Sequence, residues 1–196
     1  MNEVRLPRVG FGAVVMAGAE IIMERGASGF ELADLAERLG VETSEVSYWM
    51  GDPTEVLIAV MELRKNWFLD QARVRMSALP TQTARLRELV EMTVVDREST
   101  FWIELWKQAL RDERARQSRQ SLSDEYRKTV AGIIRAGQKS GEFGSASPDK
   151  VALVLSALLT GFSVSLTLKD AAVTQESMFN MILDACEKLL SADLRA

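Results

Sequence analysis

The chain of 196 residues, of which 47% are hydrophobic and 27% charged, is long enough for one large domain or for a small domain fused to a medium one. It contains no histidine and a single cysteine, Cys186, which excludes an intramolecular disulfide, a cysteine zinc site and the commonest general base. Since no nucleophile motif is present either, we expect neither an enzyme nor a bound metal or cofactor. The cysteine usage fits a reducing cytoplasm.

Helical periodicity runs through nearly the whole sequence and predicts an all-α fold of about nine helices. The expected helices cover about 9–25, 32–39, 43–50, 53–78, 83–96 and 101–109, then a long helix ending near 141, then 148–168 and 175–194. The fourth helix has a predicted core stripe of Val56, Val60, Leu63, Trp67 and Val74. The eighth contains several Ser and Thr residues, which predict a buried helix and not a membrane span.

The segment from Leu32 to Met50 has the spacing of a helix-turn-helix. Such a motif needs a small residue where its helices touch, a glycine with a left-handed backbone at the turn, and a branched apolar residue that locks the second helix. Ala36, Gly40 and Val46 meet these requirements in that order. The other core positions are filled by Leu35, Leu39, Val41 and Trp49.

Residues 14–61 resemble the DNA-binding domain of the TetR family of transcription regulators. The matching segments are AGAEIIMERG at the end of the first helix, LADLAERLGV at the second helix and turn, and VSYWMGDPTEVLIAVM at the recognition helix and the start of the fourth. Later segments resemble the C-terminal domain of regulators near the choline-sensing branch: FWIELWKQALRDE, GEFGSASPD and LLTGF. The resemblance implies a DNA-binding domain at 1–52 and a ligand-binding and dimerisation domain at 53–196.

The candidate recognition helix departs from the family pattern, which usually has a tyrosine where this chain has Ser47 and often a lysine where it has Pro53. It contains Glu42 and Glu45 and no Lys or Arg. Residues 1–52 hold four arginines and nine acidic residues, so their net charge is −5 and the rest of the chain carries +1. Because phosphate neutralisation supplies most non-specific DNA affinity, we expect weak DNA binding, or binding confined to a preferred site at low salt.

Candidate DNA contacts remain on and beside this helix. Tyr48 and nearby hydroxyls can donate to phosphates, and so can backbone amides at the start of the fourth helix. Glu45 can accept from cytosine N4, and as an exposed charge we expect it to limit affinity. In the alternative interpretation Glu42 only favours the positive end of its helix. Arg5 and Arg8 form a basic arm for phosphates or the minor groove, or else a solvated tail. The full set is Arg5, Arg8, Thr43, Ser44, Glu45, Ser47, Tyr48 and Thr54.

A small-molecule site is expected in the C-terminal domain. Trp102 and Trp106 share a helix face, and Tyr126 lies on the next helix. Four tryptophans and nine methionines suit an adaptable, largely apolar pocket, and the tryptophan pair also suits a cation. For each residue the alternative is ordinary core packing. The candidate ligand-binding residues are Met92, Trp102, Leu105, Trp106, Tyr126, Ile133, Phe143, Phe162 and Leu166.

Small residues recur every four positions on the eighth helix, and an apolar stripe follows on the ninth. The resemblance implies that these two helices pair with their copies in a four-helix homodimer interface; burial within one subunit is the alternative. The expected interface residues are Ala157, Gly161, Ser165, Met178, Ile182, Ala185 and Leu189.

Four arginines follow the sixth helix, with Asp112 and Glu113 nearby. Their mixed charges predict a solvated loop or helix face. They are Arg111, Arg114, Arg116 and Arg119.

Together these observations predict a cytoplasmic, ligand-responsive regulator, a repressor that binds a palindromic double-stranded DNA operator as a dimer and is released by a largely apolar small molecule. No membrane partner is expected. The alternative, favoured by the acidic N-terminal part, is a TetR-like module that binds a ligand or protein and has weak or lost DNA binding.

Overall fold

The computed structural model describes residues 9–95 and 99–195. Within these ranges the chain forms nine α-helices, one 3₁₀ turn at Ala27–Gly29 and no strand, which confirms the all-α prediction. The helices are α1 (Phe11–Arg25), α2 (Leu32–Leu39), α3 (Thr43–Ser47), α4 (Pro53–Ser77), α5 (Gln82–Val95), α6 (Ser99–Ala109), α7 (Glu113–Ser140), α8 (Pro148–Thr167) and α9 (Gln175–Leu190).

Two helices are shorter than predicted. α3 ends at Ser47 rather than at residue 50. α9 ends at Leu190 rather than at residue 194, because Ser191 adopts a left-handed backbone with φ of 50° and its N–H still bonds back to the carbonyl of Glu187. The other predicted boundaries lie within one or two residues of the structure.

The chain divides into two compact units. The first contains the described residues up to Lys65 together with Thr100–Arg119; the second contains Asn66–Ser99 and the residues from Gln120 onward. The expected boundary after residue 52 therefore falls inside the first unit. α6 and the first turns of α7 belong to the same unit as α1 to α3.

The first unit is built on close helix packing. α1 buries Val14, Ile21 and Ile22 among other residues, and α2 packs on both α1 and α3. A Cβ placed on Gly18 would lie 2.8 Å from Cγ1 of Val56 on α4. Only a glycine at this position therefore lets α1 and α4 approach as closely as they do.

The predicted stripe on α4 is wrong in its C-terminal part. Val56 and Val60 are buried, but Leu63, Trp67 and Val74 are exposed, Trp67 by 65% of its surface. The physical reason is that α4 buries one side in its N-terminal part and a different side further along the helix. The helix buries Leu57 and Met61 beside the two valines, and further along it buries Ala72.

The second unit has a core formed by α5, α7, α8 and α9, in which α8 and α5 both pack on α9. Its fully buried side chains include Leu86, Leu89, Ile134, Leu155, Met178 and Ile182. α9 begins with a reciprocal cap: the Ser177 N–H donates to the Thr174 hydroxyl at 3.0 Å, and the Thr174 N–H donates to the Ser177 hydroxyl at 2.9 Å.

α8 is only partly buried within the single chain. It buries Val151, Ala152, Leu155 and Leu159, while much of its remaining surface is accessible, including Leu153 at 55%. By length and composition alone α8 is the single helix in the described ranges that could cross a membrane. That is weak evidence for a span, because core helices of other proteins meet the same criterion.

Candidate functional site

The helix-turn-helix has the geometry that its sequence predicts. Gly40 adopts the left-handed conformation, with φ of 65° and ψ of 36°, and the N–H of Val41 donates to the carbonyl of Ala36 at 3.0 Å. Ala36 and Val46 are buried, which seats α3 on α2. Of the other predicted core residues, Leu35 is buried, and three are half-buried: Leu39, Val41 and Trp49.

α3 and the residue after it present a row of hydroxyl side chains to solvent. Thr43, Ser44, Ser47 and Tyr48 are all exposed, Tyr48 by 59%. The Tyr48 ring packs edge-on against Trp49, with ring centroids 4.9 Å apart, while more than half of the residue surface stays accessible. The Ser47 hydroxyl is engaged locally and donates to the carbonyl of Ser44 at 3.1 Å.

Glu45 differs from its predicted environment. It is half-buried, and it has an interaction partner within the described structure. The expectation that Glu45 is an exposed charge is therefore wrong.

Trp49 ties the start of the described chain to α3. Its indole N–H donates to the carbonyl of Val9 at 2.9 Å, and its ring lies 6.0 Å from that of Phe11. The predicted basic arm, Arg5 and Arg8, lies outside the described residues. The chain that leads from this arm into α1 is thus anchored beside the candidate recognition helix.

The start of α4 is capped by two acidic side chains. The Glu55 N–H donates to Asp52 Oδ1 at 3.0 Å, and the Glu55 carboxylate accepts from the N–H of Gly51, one residue earlier than in a standard capping box. Thr54 is buried to 5% exposure. A phosphate that accepted from the backbone N–H of Thr54, as predicted, would therefore lie close to the carboxylates of Asp52 and Glu55.

We define the reading head as the described residues 9–52. Its two arginines both face carboxylates: Arg25 Nη1 lies 2.8 Å from Asp34 Oδ2, and Arg38 Nη2 lies 2.7 Å from Glu24 Oε2. The hydrogen bond from Arg38 lowers the pKa of Glu24. Both arginines of the reading head are therefore paired with carboxylates on α1 and α2. α3 presents hydroxyl groups, and no Lys or Arg side chain, to solvent.

Residues 82–191 match the family described as the C-terminal domain of BetI-type transcriptional repressors, which covers more than half of the chain. The chain belongs to the TetR family of transcriptional regulators. A BetI regulator of Burkholderia thailandensis is 31% identical over 119 residues, which cover 57% of this chain and 58% of that protein. The match therefore spans less than two thirds of the relative's length.

Solved TetR-type structures share the whole fold. A transcriptional regulator from Saccharomonospora viridis, solved in complex with choline, has a TM-score of 0.83 at 22% identity and covers 92% of this chain and 96% of its own. A TetR-family regulator from Rhodococcus has a TM-score of 0.74 at 25% identity, with coverages of 92% and 97%. The family and these relatives are transcriptional regulators, not enzymes, and TetR-family regulators bind DNA and small-molecule effectors, typically as dimers.

α6 contributes three of the predicted ligand-binding residues to the first unit of this TetR-family chain. Trp102 and Trp106 are half-buried, with ring centroids 6.4 Å apart and ring planes inclined by 38°. Leu105 is fully buried. Leu105 therefore packs in the core of the first unit, whereas both tryptophans keep part of their surface accessible.

Sequence reasoning missed Glu104 on the same helix. This carboxylate is buried to 8% exposure; its Oε2 accepts from the N–H of Ala27 at 3.1 Å, and its Oε1 accepts from Lys107 Nζ at 2.8 Å. It thereby satisfies the backbone where α1 ends and the 3₁₀ turn begins, and it links α6 to the reading head. The available signal was a lone acidic residue within the apolar run of α6.

The second unit holds the other predicted ligand-binding residues. Met92, Tyr126, Phe162 and Leu166 are partly buried and pack against its core. The Tyr126 hydroxyl is buried and has no hydrogen-bond partner of good geometry among the described residues. Burial raises the pKa of Tyr126, an effect that the nearby Thr93 hydroxyl partly opposes.

Ile133 and Phe143 belong to the core itself. A Cβ on Gly137 would lie only 2.2 Å from Cδ2 of Phe143, so this ring rests directly on the backbone of α7. Both residues are part of the apolar core of the second unit, and their assignment to a ligand site stays a prediction.

The predicted dimer residues fall into two groups. Ala157, Gly161 and Leu189 are exposed and Ser165 and Ala185 are half-buried, as an interface requires. Met178 and Ile182 are fully buried within the unit, at 1% and 0% exposure, so their assignment to the interface is wrong. The α9 stripe turns inward at these two positions, and Met181, 40% exposed, takes the outward position.

Proposed function

We propose that this chain is a repressor that binds a palindromic operator as a homodimer in the cytoplasm and is released from DNA by a small molecule. The observation that carries the DNA-binding part is the helix-turn-helix, whose left-handed Gly40 and buried Val46 fix α3 with its hydroxyl row outward. Such a row can bond phosphates and base edges without any cation.

The reading head is acidic, so its affinity for DNA depends on the basic arm formed by Arg5 and Arg8. Trp49 anchors Val9 beside α3, and Arg5 and Arg8 are the two basic residues that precede Val9 in the sequence. We assign phosphate or minor-groove contact to these arginines. Binding is then weak at high salt, and the operator is distinguished from other DNA mainly by Thr43, Ser44 and Ser47.

Tyr48→Phe tests the proposed phosphate contact with little risk to the fold, since the ring that packs on Trp49 is retained. Loss of one hydroxyl contact is expected to weaken DNA binding by about two- to tenfold per protomer, equally for operator and random sequence, because phosphates carry no sequence information. Fluorescence anisotropy with both DNAs measures this. Unchanged affinity, or a loss confined to the operator, would contradict the assignment.

The effector site is proposed around Tyr126, with Met92, Phe162 and Leu166. The Tyr126 hydroxyl is buried and makes no hydrogen bond of good geometry among the described residues, so a ligand with a hydrogen-bond acceptor on an apolar body would supply one worth about 0.5–1.5 kcal/mol. Choline, which is bound to the Saccharomonospora viridis regulator, is the first cationic compound to test. The tryptophan pair on α6, which belongs to the first unit, is a separate group that suits a cation.

Tyr126→Phe separates the two effector chemistries. We expect it to weaken binding of an uncharged, acceptor-bearing effector by about tenfold, and to leave cation binding at the tryptophans within a factor of about two. Calorimetric titration of choline and of an apolar compound set into both proteins measures the difference. If Tyr126→Phe binds every effector as wild type does, Tyr126 is a structural residue.

The alternative function, a TetR-shaped binding module without DNA binding, is favoured by one observation. Both arginines of the reading head are committed to carboxylates on α1 and α2. A protein of this kind would bind its effector normally and show no DNA affinity even at low salt.

A further inference from the structure

Arg114 makes contacts that its predicted place on a solvated face does not explain. Its Nη2 lies 2.8 Å from Asp52 Oδ2 and 2.7 Å from Asp112 Oδ2, and its Nη1 lies 3.4 Å from Glu55 Oε1. One guanidinium thus serves three carboxylates, two of them on the α4 start and one on the turn that precedes α7. The hydrogen bond from Arg114 is the main reason that the pKa of Asp112 falls to about 2.

The contacts of Arg114 with Asp52 and Glu55 lie at the start of α4, close to the proposed DNA-binding surface of α3. Asp52 and Glu55 cap α4 only a few residues after the exposed Tyr48. A helix start attracts anions, but two carboxylates at the same end repel them. A phosphate that approached the α3–α4 turn would therefore meet net negative charge if Arg114 were absent.

The reading head does not supply a replacement cation from its described residues. Arg25 and Arg38 are held on α1 and α2 by Asp34 and by Glu24 with Glu20. The fold brings Arg114 to the α4 start from 62 residues away in the sequence. It lies in the same compact unit as the head, so this contact is part of one structural body.

We propose that Arg114 is a positioning residue for DNA binding: it neutralises Asp52 and Glu55 at the start of α4 and holds that end against the α6–α7 turn. The inference rests on the proposed DNA binding. It adds a determinant outside the helix-turn-helix, and it explains how an acidic α4 start is compatible with a nearby phosphate backbone.

The first test compares Arg114→Ala with Arg116→Ala. Arg116 is a matched control because it lies two residues away, is similarly exposed at 53% against 49%, and pairs with Glu113 on its own helix. We expect Arg114→Ala to lose about two- to fivefold in affinity at low salt, for operator and random DNA alike, and Arg116→Ala to lose less than twofold. The loss of DNA affinity in Arg114→Ala should become smaller as the salt concentration rises, because salt screens electrostatic effects. A loss caused by misfolding would not depend on salt in this way.

The second test is a double-mutant cycle with Asp52→Asn, since Asn caps helices as well as Asp does. Asp52→Asn alone should strengthen DNA binding, and Arg114→Ala should cost less in that background than in wild type. Arg114→Lys should recover part of the loss, because it restores the charge but not the forked geometry. Thermal unfolding of each variant confirms that the head is folded.

The outcomes separate this inference from the proposed function. If wild type binds DNA and Arg114→Ala equals Arg116→Ala at every salt concentration, the role of Arg114 is overturned and the DNA-binding function stands. If the two mutations in the cycle are additive, Arg114 does not act through Asp52 and the inference is likewise overturned. If wild type binds no DNA at low salt, both fail together.

Discussion

Gly161→Leu is expected to convert the proposed dimer to monomers at micromolar concentration and thereby to abolish tight operator binding. Gly161 is exposed on α8, and a Cβ built there meets nothing within 4 Å, so a leucine fits the isolated subunit without strain. In a two-fold symmetric interface the same leucine occurs twice. If each copy has an overpacking cost of about 1–3 kcal/mol, the dimer dissociation constant rises by roughly 30-fold or more.

Gly132→Leu is the matched control for this change. Gly132 is also a helical glycine, exposed on α7 with nothing within 4 Å of its Cβ, and it lies outside the proposed interface. Sedimentation equilibrium on the three proteins measures the effect. A Gly161→Leu protein that dimerises as tightly as the control, or a wild type that is monomeric, would show that the outer face of α8 and α9 is not the interface.

Gly137→Ala is expected to destabilise the second unit although alanine is the better helix former. The new methyl group would lie 2.2 Å from Cδ2 and 2.4 Å from Cε2 of Phe143, a buried ring that belongs to the core. The resulting displacement is expected to lower the free energy of unfolding by about 1–3 kcal/mol, after the gain of about 1 kcal/mol in helix propensity.

Gly132→Ala supplies the comparison on the same helix. It makes the same change five residues earlier in open space, so we expect the free energy of unfolding to rise by up to about 1 kcal/mol. Urea unfolding of both variants gives the two values. Shifts of the same sign would mean that Phe143 moves aside at little cost, and that its packing on α7 does not define this end of the core.

Local signals in the sequence were sufficient for the helices and the helix-turn-helix. Ala36, Gly40 and Val46 act through contacts only a few residues apart, so their spacing predicts the turn that the structure confirms. Asp52, which precedes Pro53, likewise caps α4 through a contact only three residues along the chain. Each of these features depends on neighbours in the chain.

Features that depend on distant parts of the chain could not be predicted in the same way. Glu104 bonds the Ala27 N–H across 77 residues, and Arg114 reaches Asp52 across 62. The inward turn of Met178 and Ile182 depends on how α9 packs on α5 and α8. An apolar stripe predicts that a helix face is covered, but it does not tell a core from an interface.

The most direct test of the central claim is a binding selection with purified wild-type protein on fragments of its own genome, carried out at about 50 mM and about 200 mM salt. We expect enrichment, at the lower salt, of palindromic sites whose half-sites lie one or a few helical turns apart, with binding that falls steeply at the higher salt. Recovery of no sequence at either salt, from protein shown to be folded and dimeric, would contradict the claim that this TetR-family chain is a DNA-binding repressor.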